Sequence, residues 1–339
     1  MATPNTENYT LGKGVIFFNR RNADGSYVGE RDLGNATELT VSIEVEKLDH
    51  YSSRGGLRAK DKSVIAEIAP TLSFTLDEFD PENVALLFMG TINEVAQTSS
   101  YVTDEVVAIG EKDRYYPLGN KFVGHYYLDV TDVTGSWTAG MALTGGTSSA
   151  TATVAYVTPT RLYLRAITGT FQQNETVTGS GGSPPTAKVV SQGQQFQYGF
   201  IVVKNEAATT TYVYGTDYRV GDGSASKQIV DGKLGRFYVM PGGTISADSN
   251  VKVSYQKAAA TYRQVRMLET TSFEGQLRFV TDNPEGPNYE LMVWNVAIAP
   301  EGDTGLISEE WATMSFTGEI LKDETGHPDS PYATVTMLS

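Results

Sequence analysis

The 339-residue chain sets 40 acidic against 26 basic residues for a formal net charge of -14, and holds no cysteine and three histidines, His50, His125 and His327. That excludes a disulfide framework and thiol catalysis, leaves no paired histidine spacing for zinc, and argues against a nucleic-acid binder with the usual basic patch. No stretch approaches 18 apolar residues, the start MATPNTENYTLGKG lacks the basic and apolar regions of an export signal, and the length suits two or more cores, so a chain of at least two domains used from the cytosol is expected.

In chain order, the first strand is expected over 15–18, followed by a charged hairpin tip at Arg20, Arg21, Asn22, Ala23, Asp24 and Gly25. Leu39, Val41, Ile43 and Val45 then alternate with Glu38, Thr40, Ser42, Glu44 and Glu46, the period of a half-buried strand. Val64, Ala66 and Ile68, then Leu72, Phe74 and Leu76, repeat the habit on a return strand. Between them, DHYSSRGGLRAKDK predicts a loop of about fourteen residues, too long for a tight turn and suited to a contact arm reaching a neighbouring subunit. One short helix is expected next. Asp80 caps it, Pro81 takes the first position, Glu82 complements the dipole, Gly90 stops it, and Val84, Leu87 and Phe88 face a sheet.

Residues 135–193 change character, being rich in Gly, Ser and Thr and poor in charge, and they repeat. Gly135, Trp137, Leu143, Thr144 and Gly145 recur 34 residues later as Gly169, Phe171, Val177, Thr178 and Gly179; after a one-residue slip Thr151, Ala152 and Val154 recur as Thr186, Ala187 and Val189. Each copy reads as a small β unit, and two together bury what one cannot. A glycan-binding module and a ligand-free decoration both fit. The flanks, 118–133 and 196–257, read as another β unit with short strands around Tyr212, Tyr214, Tyr218 and Val220. Further strands are expected at 200–203, 251–255, 277–280, 289–298 and 311–320. The fold class is therefore all-β with one short helix. A β-sandwich or barrel core (1–112 and 259–339) carries an inserted outer β domain (113–134 and 194–258), which itself holds the nested two-copy repeat (135–193).

Catalytic signatures are missing: no G-x-x-x-x-G-K-[ST] and no G-x-S-x-G occurs. Asp77, Glu78 and Asp80, or Glu309 and Glu310, invite comparison with a glycosidase carboxylate pair, but the first group is explained by the helix start. Asp282 to Asn288 has the composition of a calcium loop without EF-hand spacing and reads as a turn. No enzyme, metal or cofactor is expected.

The order of elements resembles the major tail tube protein of long-tailed bacteriophages over about residues 1–112 and 259–339. It rests on Gly14-Val15-Ile16-Phe17-Phe18; Leu33-Gly34-Asn35 leading into the alternating strand; Tyr51-Ser52-Ser53-Arg54-Gly55-Gly56; the Asp80–Gly90 helix; Phe273-Glu274-Gly275-Gln276-Leu277; and the closing strands. The resemblance implies a structural virion protein, made in the host cytoplasm, whose subunits close into rings, usually hexameric, and stack into the conduit for genome ejection. It implies as partners other copies of the chain, the tape measure, tail terminator and tail-tip proteins, and DNA that passes without specific binding. On this reading the inter-ring contact falls to Asp49, His50, Tyr51, Arg54, Arg58, Lys60, Asp61 and Lys62. Glu38, Glu44, Glu46 and Glu67 either line a phosphate-repelling lumen or solvate an outer face. The rival readings are a β-rich surface adhesion or glycan-binding protein, suggested by the repeat, and an acidic polysaccharide-acting enzyme.

Overall fold

Alternating apolar and polar residues with frequent turn formers dictate strands nearly throughout, and the computed structural model is built of them. It describes residues 5–123, 125–195, 201–220 and 231–338, with the backbone alone at 125, 156, 194 and 195. After a 3-10 turn at Thr6–Asn8 come β1 (Gly14–Arg21), β2 (Tyr27–Asp32), β3 (Ala36–Ser52), β4 (Ala59–Leu76), α1 (Pro81–Leu87) and β5 (Thr91–Gln97). Then follow β6 (Ser100–Ile109), β7 (Arg114–Pro117), β8 (His125–Thr134), β9 (Ala142–Gly145), β10 (Thr151–Thr158), β11 (Arg161–Thr168), β12 (Thr176–Gly179) and β13 (Thr186–Gln195). The chain continues with β14 (Val202–Asn205), β15 (Tyr218–Arg219), β16 (Arg236–Val239), β17 (Ser249–Lys257) and β18 (Ala260–Arg266). It closes with β19 (Phe273–Thr281), β20 (Asn288–Pro300), β21 (Met314–Ile320) and β22 (Ala333–Leu338). A further helical turn occupies 231–234. The expected strand start at Phe200 and the His125 side chain lie outside the described residues.

Contacts divide the chain into residues 1–94 with 263–339, and residues 95–262. The first unit is an open antiparallel sheet in the order β2-β1-β19-β20-β21-β4-β3, with β22 beside the first half of β20. Its core joins Ile16, Phe18, Leu72, Phe74, Leu277, Val296 and Phe316; Phe74 and Phe316 are direct cross-strand partners whose rings stack at 5.1 Å. Helix α1 packs on β20 and β21. Asp80 Oδ1 accepts from the backbone N–H groups of Glu82 (2.6 Å) and Asn83 (2.9 Å), as a capping residue should. Of the expected Val84, Leu87 and Phe88 stripe, Leu87 is buried and Phe88 packs partly buried against the core, while Asn83, Ala85 and Leu86 rather than Val84 complete the buried face. Asn83, fully buried, donates to the carbonyls of Leu33 and Glu78 and accepts from Arg31 Nη2 at 2.8 Å, tying the helix to the segment after β2.

In the second unit, the sheets β14-β17-β6 and β15-β16-β7 share one core around Phe237, Val251, Val253 and Tyr255. The first domain was expected to reach residue 112, but β6 pairs along β17 from Lys257 to Ser249, so the break falls after Glu94. The Gly/Thr-rich repeat is one closed six-stranded barrel, β10-β11-β8-β13-β12-β9. Its two copies are β8-β9-β10 and β11-β12-β13, so the module spans 125–195 rather than 135–193: β8 supplies a first strand that the repeat alignment leaves out. The copies meet about a local two-fold axis, with Leu143, Thr144 and Gly145 antiparallel to their counterparts Gly179, Thr178 and Val177. Trp137 and Phe171, the repeated aromatics, are buried in the same core.

Candidate functional site

The residues singled out for assembly fall on the β3–β4 hairpin, 17 and 18 residues long. The expected loop over 49–62 is corrected: pairing continues through Asp49↔Ser63, His50↔Lys62, Tyr51↔Lys60 and Ser52↔Ala59, leaving only 53–58 as the tip. Cross-strand groups draw the strands together where periodicity is lost. Lys60 Nζ reaches Asp49 Oδ1 at 2.6 Å, Ser63 Oγ donates to the same oxygen at 2.6 Å, and His50 Nδ1 lies 2.5 Å from Asp61 Oδ1. The hydrogen bonds from Lys60 and then Ser63 hold the Asp49 carboxyl below its ordinary value. Arg58 lies over the Tyr51 ring at 5.5 Å, and Arg54, beside it on the tip, donates its backbone N–H to Ser52 Oγ at 3.5 Å. A bulge between His50 and Tyr51 leaves Asp61 without a direct partner in the ladder, while Lys62 stands opposite His50.

Register sorts the remaining side chains onto two faces. Leu39, Val41, Ile43 and Val45 pair with Phe74, Leu72, Pro70 and Ile68. The base of this apolar face is core, for Leu72 and Phe74 are buried, but Ile43 is 66% exposed, and Val41, Val45 and Ile68 are exposed beside it. On the other face Glu44 pairs with Ala69 and Glu46 with Glu67, while Glu38 sits nearer the base opposite Thr75. The structure thus brings Glu38, Glu44, Glu46 and Glu67 to one face. Glu46 directly opposite Glu67 is a repulsive pair, and among the described residues neither makes an ion pair. A bulge after Glu46 shifts the register, so that Leu48 and Val64 continue the acidic face and Ile65 the apolar one. Among the described residues β3 pairs only with β4, so its outer edge presents a row of backbone donors and acceptors with no strand beside it there.

Of the carboxylates considered for catalysis, Asp77 and Asp80 make structural contacts. Asp77 accepts both contacts from Asn35 Nδ2, at 2.9 and 2.8 Å, and Asp80 caps α1 while Arg31 binds Asp80 and Glu82. The 282–288 segment is a turn fastened by Asn288 Oδ1, which accepts from the Asn283 N–H, and by Asn283 Oδ1, which accepts from the Lys13 N–H. Among the described residues no three His, Cys, Asp or Glu side chains gather as a metal-holding group, and no helix is long and apolar enough to cross a membrane.

Sequence reasoning missed one feature. The strand expected from 311 begins only at Met314, and Trp311 lies in the connecting segment with 93% of its surface exposed. Glu309 and Glu310 immediately before it break the alternation, and that break was the available signal. No curated protein matches the chain. The model of the family described as Protein of unknown function UCP028589 matches residues 9–144 and 138–336, and the chain belongs to that family.

Proposed function

We propose that the protein is a structural subunit that closes into rings and stacks into the tail tube of a long-tailed bacteriophage, located in the virion tail. One observation carries this reading: the β3–β4 hairpin ends its sheet with an open edge while Val41, Ile43, Val45 and Ile68 are exposed on one face. A long edge strand with apolar exposure invites strand addition or aggregation in a monomer, whereas a closing ring gives edge and face a partner on every subunit. The neighbouring subunit covers the apolar face, and the face bearing Glu38, Glu44, Glu46 and Glu67 then turns to the lumen, where it repels the phosphates of passing DNA. The charged end, with Asp49, His50, Tyr51, Lys60, Asp61 and Lys62 on the strands and Arg54 and Arg58 on the tip, meets the next ring. Ring number rests on the family resemblance, which implies six.

The test is assembly of the pure protein. Negative-stain images and sedimentation over a wide concentration range should show rings and tubes, and monodisperse monomers at high concentration would overturn the reading. Removing residues 54–57 should leave rings but shorten or abolish tubes; tubes of normal length would take the inter-ring role away from the tip.

A further inference from the structure

Two features of the first unit remain without a role. The connection between β20 and β21, residues 301–313, exposes Leu306 by 71%, Ile307 by 99% and Trp311 by 93%. Three bulky apolar side chains within six positions, flanked by Glu309 and Glu310, make a segment that water solvates poorly on its apolar side. Elsewhere in the same unit, a groove of about 360 Å³ opens between β2 and α1, with Phe18, Val28, Leu86, Ile92 and Phe273 in its lining. Val28 is 68% exposed on the terminal strand of the sheet. Arg20 stands at the groove with its guanidinium over the Phe273 ring at 4.8 Å, and among the described residues no carboxylate pairs with it.

We propose that residues 306–311 of one copy seat in the β2–α1 groove of a second copy. Ile307 and Trp311 enter the apolar lining, and Glu309 and Glu310 come to Arg20. The charges are complementary, acid on the segment and, at the groove, a cation with no carboxylate partner among the described residues. The segment is exposed and the groove open on the same chain, so the occupant is another molecule. Donor and acceptor are different patches, making the contact heterologous: each subunit gives one segment and receives one, which propagates until the rotation closes. This inference rests on self-association, which the proposed function also requires, but on surfaces other than the hairpin.

Trp311 reports the contact. Its emission in the full-length protein should move to shorter wavelength as concentration rises, and the shift should vanish in W311F, which assigns the signal against Trp137 and Trp294. V28D, at an exposed position and with its fold checked by circular dichroism, should weaken the association that the shift reports by roughly thirtyfold, as a charge placed in an apolar contact does. R20E should weaken it too, and mixing R20E with E309R/E310R should restore the shift. A shift independent of concentration, or one unchanged in V28D and R20E, overturns the proposal. The two readings fail separately. Tubes that form normally from I307S/W311S remove this contact and leave the tube, whereas a concentration-dependent Trp311 shift without rings or tubes does the reverse.

Discussion

At the scale of single residues, the barrel depends on one buried acid. Glu175 is 4% exposed, and its carboxylate accepts from the backbone N–H groups of Thr147 and Ser148 (3.0 Å each) and Gln172 (2.6 Å) and from the Ser148 hydroxyl. It thereby fastens the β9–β10 turn of one copy to the approach to β12 in the other. Burial alone would raise its pKa, but the hydrogen bonds from Ser148, Gln172 and Thr147 outweigh burial and hold it below the usual glutamate value. The sign follows: a carboxylate more acidic in the folded state stabilises above its unfolded pKa, and that contribution is lost as pH falls through the folded value. E175Q keeps the shape but offers N–H groups where acceptors are needed, so it should cost about 2 kcal/mol. Hydrogen-exchange protection of the Thr147 and Ser148 amides, taken relative to their intrinsic rates, should fall in the variant at neutral pH, and in the wild type only on acidification. Equal protection in both proteins at neutral pH would refute the assignment.

At the scale of elements, helix α1 stops just before Gly90 as expected, but the left-handed residue of the stop is Met89. Met89 holds φ 47°, and Gly90 is needed because a Cβ there would lie 2.2 Å from the Arg266 carbonyl oxygen. Adjacent substitutions should therefore act in opposite directions. M89G removes a left-handed penalty of about 1 kcal/mol, although the added chain freedom of glycine offsets part of it, whereas G90A forces backbone apart and should cost about 2 kcal/mol. Urea unfolding would decide, and a harmless G90A would show that the approach relaxes freely. The same contrast explains what the sequence made legible. β3 and β4 could be read where their own alternation is strong, from Leu39 to Val45 and from Leu72 to Leu76. Between Asp49 and Lys62 the strands are made by pairs across the hairpin, Lys60 to Asp49 and His50 to Asp61, which no single-strand period contains. The bulge after Glu46 also shifts the register. The 34-residue repeat was visible in its glycines and threonines, but β8 and β11 have drifted to HYYLDVTDVT and RLYLRAIT, so the module boundary was not. β6 joins β17 across a long sequence separation, which put the unit boundary out of reach of local pattern.

At the scale of the whole molecule, a net charge of -14 opposes bringing copies together, and Glu46 facing Glu67 beside Glu44 adds local repulsion. In the proposed ring, each such face would approach those of its neighbours around the lumen, so assembly should strengthen as salt rises and screening shortens toward about 8 Å at physiological ionic strength. The attraction proposed between Glu309, Glu310 and Arg20 has the opposite salt dependence, and comparing variants at matched salt separates the two. E46Q/E67Q leaves the segment and its groove untouched, so any change in its salt slope belongs to the hairpin face. Because these side chains are exposed, the gain should be small, about 0.5 kcal/mol per neighbour at low salt or roughly twofold in the association constant, and it should shrink as salt is added. Sedimentation at a series of salt concentrations measures it. If E46Q/E67Q and the wild type assemble with the same salt slope, the acidic face does not meet its own kind, and the lumen assignment for Glu46 and Glu67 falls even if rings form.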